Sequence, residues 1–382
     1  MQSQGSLYPD ASAAVRHIPA LDGLRGLAAL IVAVSHLSAM TGIAAGFFGS
    51  AGGQLGVILF FALSGFLMAH MYFEAPFSLR NLGQFAVARV ARVVPLFLLV
   101  VLVSYAVTEV CEARPGCPWV FPMSTQALID HLLLRRGEGV MWTIPVELKF
   151  YALFPFFWLL YRLSRPIGAT AITGLLLLYF WLPPGEMPVM RLGHYFLLGI
   201  AVCLVTRAFG MNRAVHSRVL ELGGTGALVC GILLVLASFP GLFWMLFNRA
   251  PKIWWEPIVL MAIALLLLGA IFSRVAQFMF GQFLLPFLGQ VSYSLYLTHM
   301  LVYQNMRGAI DPGHHPWLFA VLSLSLAILL ATAIYHLFES PMRHRLRRVL
   351  TRPWLLRRSS QGRPPSECEA PLDTVRQSTM QS

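Results

Sequence analysis

Long apolar runs separated by short polar connections dominate the chain, and each run approaches the roughly 20 residues a helix needs to cross a bilayer. Low-charge runs of that length fall at residues 24–42, 54–73, 93–110, 142–161, 168–182, 192–209, 223–239, 256–272, 286–306 and 317–338. They are unbroken rather than alternating apolar with polar, which argues against a transmembrane barrel. The expected fold is all-α and integral to the membrane, with about ten transmembrane helices.

Composition supports this. Of 382 residues 57% are apolar and only 12% charged, which excludes an ordinary water-soluble domain. The net charge of +12 would suit a nucleic-acid partner if it were clustered, but the basic residues are spread over the connections and the last forty residues. Counted on alternate sides of ten spans they divide about 20 to 7, with Lys149 inside a helix. By the positive-inside rule both termini are expected in the cytoplasm, and no nucleic acid is expected as partner.

Three regions follow. Residues 1–20 form a cytoplasmic segment without the apolar core of a cleaved signal peptide, residues 21–342 the ten-helix membrane domain, and residues 343–382 a cytoplasmic tail. The tail is basic and amphipathic to about Arg358 and then rich in Ser, Gln, Pro and Glu, a surface helix followed by a disordered end. Cys111 and Cys117 bracket a segment of the large outer loop, and the sequence leaves open whether they are bonded or free.

Ionisable residues inside a bilayer are costly and so point to function. His36, Glu147 and His299 lie within the predicted helices. At about 1.5 Å per residue they fall roughly 18, 22 and 20 Å from the cytoplasmic face, so three helices bring titratable groups to similar depth. A lone His can equally be a packing residue, whereas a carboxylate in apolar surroundings must protonate or find a cation. At the cytoplasmic ends, Arg25 opens the first helix, and Arg89 and Arg92 lie three apart on one helical face. Guanidinium forks suit the phosphates of a nucleotide-like donor, although arginines there can also be simple topology anchors.

Together these residues resemble a known family. Leu21-Asp22-Gly23-Leu24-Arg25-Gly26 followed by His36 is similar to the signature of the membrane-bound acyltransferase 3 family, which includes bacterial O-antigen and exopolysaccharide acetyltransferases. Five further segments resemble the family in order: 60–66 with Ser64, 85–95 with Arg89 and Arg92, 142–151 with Glu147 and Tyr151, 292–299 with Tyr293, Tyr296 and His299, and Phe338-Glu339-Ser340-Pro341 with Arg343. The resemblance implies a multi-pass protein of the bacterial cytoplasmic membrane, a cytoplasmic acyl-CoA donor such as acetyl-CoA, and an acceptor hydroxyl on a glycan, lipid-linked glycan or macrolide-like molecule. It places His36 at the catalytic centre with Arg25 as companion, and makes Arg89, Arg92, Glu147 and Tyr151 further candidates. Some relatives carry an extracytoplasmic hydrolase-like domain, and none is expected in residues 343–382.

The mechanistic expectation is that His36 acts as general base, oriented by Glu147, which Tyr151 in turn orients from one turn later. Arg25, Arg89 and Arg92 hold the donor's phosphates, and Ser64, Tyr293, Tyr296 and His299 support the site. Ser64-Gly65 is expected to let the second helix pack closely on the first. No metal and no permanently bound cofactor are expected, and the oligomeric state is open. The rival reading is a proton-coupled transporter or flippase with His36, Glu147 and His299 as relay.

Overall fold

The computed structural model describes residues 17–48, 51–111, 117–181, 192–209 and 218–360, which are all-helical, without a strand among them. Expectations for residues 1–16 and 361–382, and for Arg114, Arg191 and Arg213, lie outside that set. In order the helices are α1 (Pro19–Thr41), the single turn α2 (Ala45–Phe48), α3 (Gly52–Tyr72), α4 (Leu79–Cys111), α5 (Thr125–Leu132), α6 (Thr143–Leu163), α7 (Arg165–Trp181) and α8 (Gly193–Ala208). They continue with α9 (Arg218–Ala237), α10 (Pro240–Phe247), α11 (Pro257–Phe272), α12 (Arg274–Gly281), α13 (Leu284–Met306), α14 (Pro316–Ile334) and α15 (Ser340–Ser360).

Each predicted run coincides with a helix, but the runs are not equally fit to span. Among the described residues six helices are long and apolar enough to cross a membrane: α1, α3, α4, α6 with its 3-10 lead-in, α9, and α14 with the start of α15. A seventh follows only if α11 and α12, bent by 95° where they meet, count as one. α7 and α8 are apolar but shorter. α13 has the length, 23 residues, but carries Ser292, Tyr293, Ser294, Tyr296, Thr298 and His299.

Two boundaries differ from the sequence reading. α4 begins at Leu79 rather than near residue 93 and runs for 33 residues. Arg80, Arg89 and Arg92 ended the apolar run without ending the helix, because charge does not interrupt backbone hydrogen bonding. The basic stretch after residue 342 is not separate either, since α14 passes through a π-helical turn (Tyr335–Glu339) straight into α15. The short helices α5, α10 and α12 escaped the search for spans because they are only 8 residues long.

α3 is the central helix, with 72% of its apolar window buried, while α9 and α14, at 17% and 22%, leave most of theirs to face the surroundings. α1 sits against α3 on one side and α13 on the other. α1 and α13 run side by side in the same direction and meet through glycine: a Cβ on Gly26 would strike the Leu285 carbonyl, and one on Gly289 the Asp22 carbonyl. Gly65, expected to bring α3 onto α1, instead approaches the backbone of Phe196 on α8, and it is Gly56 that lets α3 close on Ala28 of α1.

At the end where α1 finishes, three connections are pinned to the bundle. Cys111 and Cys117 are disulfide-bonded, which resolves the open pairing and ties the following segment to the end of α4. Asn305 of α13 then holds that segment, accepting from the Trp119 amide at 2.7 Å and donating to the Trp119 carbonyl at 2.8 Å. His131 of α5 is fully buried and accepts from the Glu138 amide at 2.8 Å, fixing the turn before α6. A 3-10 turn (Ile253–Trp255) is fastened by Tyr195 and His194 of α8, which donate to the Ile253 and Trp254 carbonyls. Glu256 closes that turn, receiving both Nη atoms of Arg249 and the Lys252 amide at 2.9 Å.

These contacts generate two expectations. Gly289→Ala places a methyl group against backbone that cannot yield, so it should destabilise the protein by about 1–3 kcal/mol. Gly174→Ala, where a Cβ meets nothing, should not. Thermal denaturation of the detergent-solubilised variants compares them directly. The second concerns acid. The Glu256 carboxyl is held below the usual carboxylate range, chiefly by hydrogen bonding from Arg249. Its contribution is therefore complete above an unfolded value of about 4.3 and fades as pH falls through the lower folded value. Tryptophan fluorescence from Trp254 and Trp255 should shift in that acid range, and Glu256→Gln should abolish the shift.

Candidate active site

Parallel α1 and α13 present two histidines to each other, ten residues beyond their glycine contacts at Gly26 and Gly289. His36 Nδ1 lies 2.9 Å from His299 Nε2, with the rings nearly parallel at 9°. His299 is fully buried, and its Nδ1 is 3.0 Å from the Leu295 carbonyl. A carbonyl only accepts, so His299 carries its proton on Nδ1 and offers a lone pair at Nε2. His36 must then donate through Nδ1, which leaves its Nε2 as an unprotonated acceptor. The hydrogen-bond chain fixes the tautomers of both rings without any carboxylate.

His36 lines a cavity of about 820 Å³ at the end where α1 finishes. Its walls include Trp119, Phe121, Trp142, Trp254, Trp255 and Tyr296, and its polar groups include Ser35, Gln54 and Glu138. Flat aromatic walls with sparse polar groups suit the apolar faces and hydroxyls of a sugar ring. The sequence reading missed this wall, since its tryptophans come from separate connections; the adjacent pair Trp254-Trp255 in a polar connection was the available signal.

A second, narrow cavity of about 50 Å³ runs toward the end where α1 begins. Arg25, Arg92, Ser64, Glu147 and Tyr293 line it, and Val57 and Tyr296 line both cavities. Tyr293 donates to the Val93 carbonyl at 2.6 Å, two residues before Pro95 breaks the hydrogen-bond ladder of α4. Tyr296 donates to the Val140 carbonyl at 2.9 Å.

Glu147 does not orient His36. It stands in the narrow cavity, where Ser64 donates to its Oε1 at 3.1 Å and Tyr151 donates to the same oxygen. The sequence placed the two at similar depth, but they occupy different chambers. Tyr151 does hold Glu147 from one turn later, as its spacing suggested. Arg89 also differs from its two companions: it is buried, with its guanidinium 5.6–6.0 Å from the ring centroids of Tyr72, Phe85 and Tyr151. It braces Tyr151 while Arg25 and Arg92 face the cavity. Glu339, quoted in a motif but given no role, is buried and accepts from Ser294 of α13 at 2.6 Å. It leaves the helix at the π turn, a distortion frequent at functional sites.

The acyltransferase-domain family matches residues 18–336. Peptidoglycan O-acetyltransferase OatA of Listeria monocytogenes is 24% identical over 86% of this chain and 56% of its own length. YrhL of Bacillus subtilis is 26% identical, covering 86% and 55%, and O-acetyltransferase OatA of Staphylococcus aureus 24%, covering 86% and 57%. The chain thus spans little more than half the length of these relatives. No solved structure matches it. With the family covering α1 to α14 and every element that carries the two cavities, the chain belongs to the acyltransferase 3 family.

Proposed function

We propose that this protein is a membrane O-acyltransferase that moves an acetyl group from cytoplasmic acetyl-CoA to a hydroxyl of a cell-surface glycan. The observation that carries the reading is a histidine pair with fixed tautomers opening onto an aromatic cavity, with an arginine-lined passage on the opposite side. On this reading the chain crosses the bacterial cytoplasmic membrane ten times with both termini inside, so that Arg25 and Arg92 face the donor's phosphates. The aromatic cavity then opens outward to the glycan. The relatives named for peptidoglycan make a wall glycan the first acceptor to test, with exported or lipid-linked polysaccharide the next.

In the proposed step His36 Nε2 takes the acceptor's hydroxyl proton as the oxygen attacks the thioester carbonyl. The C–S bond breaks, the ester C–O bond forms, and the proton passes to sulfur to release the free thiol. Throughout, His36 keeps donating through Nδ1 to His299, which holds the ring and supports the transient imidazolium, the part a carboxylate plays in other triads. Transfer is direct, and Glu147, bound to Ser64 and Tyr151, shapes the donor passage. The relay of the transporter reading would need Glu147 in line with the histidines, and its hydrogen bonds lie elsewhere.

His36→Ala should lower transfer about 10²- to 10⁴-fold, the usual contribution of a positioned base. His299→Gln, which can still accept from His36 through its amide oxygen, should retain more activity than His299→Ala, and both more than His36→Ala. Label transferred from radioactive acetyl-CoA into glycan, in membranes with matched protein levels, gives the ranking. Equal activity for His36→Ala and the native chain would sink the assignment.

A further inference from the structure

We infer that Val57 of α3 and Tyr296 of α13 form a septum between the two cavities that selects the acyl group by length. The inference rests on the acyltransferase reading and adds to it the residues that hold the donor's acyl group to two carbons.

The two chambers share only a few side chains, and Val57 and Tyr296 are common to both. A donor held at Arg25 and Arg92 must present its acyl carbon beside this pair for a hydroxyl near His36 to reach it. The whole chamber on the donor side encloses about 50 Å³ against about 820 Å³ on the acceptor side. The apolar part of its wall beside this pair is Phe60, Phe61, Val93 and Ile144.

Neither septum residue is free to swing aside. Val57 is β-branched within a helix, which leaves essentially one χ1 rotamer, and it is 6% exposed. Its neighbour Gly56 locks α3 against α1. Tyr296 is tethered at its tip to the Val140 carbonyl, and its ring meets Phe60 edge-on at 6.1 Å. It stands one turn before His299, whose ring is also 6.1 Å away. A longer acyl chain would have to displace the Val57 methyl groups or break the Tyr296 tether.

The test offers the full chain in membranes an equimolar mixture of acetyl-, propionyl- and butyryl-CoA with cell-wall glycan, then measures alkali-released acyl groups by mass spectrometry. The native chain should transfer chiefly acetyl. Val57→Ala should raise the propionyl-to-acetyl ratio about tenfold, the low end of what one methylene is worth in an apolar pocket. Tyr296→Phe, which keeps the ring but removes the tether, should raise it as well, and Val57→Ile should lower it. Should Val57→Ala fail to fold, Tyr296→Phe and Val57→Ile decide. Folded variants that transfer acyl groups at the native ratio overturn the septum while leaving the acyltransferase reading intact. Absence of His36-dependent ester from any of the three donors in the native chain overturns that reading and the septum with it.

Discussion

The hydrogen bond between His36 and His299 depends on a backbone carbonyl, and much of the bundle is arranged to keep it. Leu295 accepts from His299 Nδ1, which turns the opposite nitrogen into an acceptor, and this in turn commits His36 Nδ1 to donate. A carboxylate in the same place would impose the same tautomer but bring a charge that burial penalises heavily. An imidazole does it while neutral. The requirement is register: two histidines on separate helices must meet within hydrogen-bond distance. The glycine contacts Gly26 and Gly289, each ten residues before its histidine, supply it by letting two backbones touch where side chains would hold them apart.

The same economy governs the other buried polar groups. Glu147 receives two hydroxyl hydrogens on one oxygen, and Glu339 receives the Ser294 hydroxyl. Arg89 sits against three aromatic rings, which satisfy a cation through their faces where no counter-ion is needed. α13 supplies much of this polar lining, and that explains why it is long yet not apolar enough to pass as a span by composition. A helix enclosed by neighbours can carry Tyr296 and His299 beside Ser292 and Ser294, whereas α9 and α14, exposed along most of their length, contain no tyrosine or histidine.

The helices were legible in the sequence because hydropathy reports burial in lipid or protein directly. Arg25, Arg92 and His36 were legible as well, since charges in apolar runs stand out one by one. Pairing was not. Depth along a helix axis gives one coordinate of three, so His36, Glu147 and His299 fell at one level, and nothing in their spacing said that Glu147 faces the arginine-lined passage while His299 faces His36. The aromatic wall was hidden for a related reason: Trp119, Trp142 and Trp254 are far apart in sequence and converge where the disulfide, Asn305, His131 and Glu256 fasten their connections. Gly65 illustrates the limit in a single residue. That it marks a close helix approach was readable, but its partner, α8 rather than α1, was not.

Two chambers of very different size, meeting at Val57 and Tyr296, also bear on what kind of protein this is. A carrier must pass its whole cargo between the two sides, so the constriction has to open to the width of the substrate. A transferase needs to pass only the group being moved. Here the wide chamber is lined by aromatic rings and the narrow one by fixed hydroxyls, a carboxylate and two arginines, with Tyr293 and Tyr296 tethered to backbone on either side. Opening that constriction for a sugar would break both tethers. Passing a two-carbon acyl group breaks neither, and for that reason the geometry favours group transfer over transport.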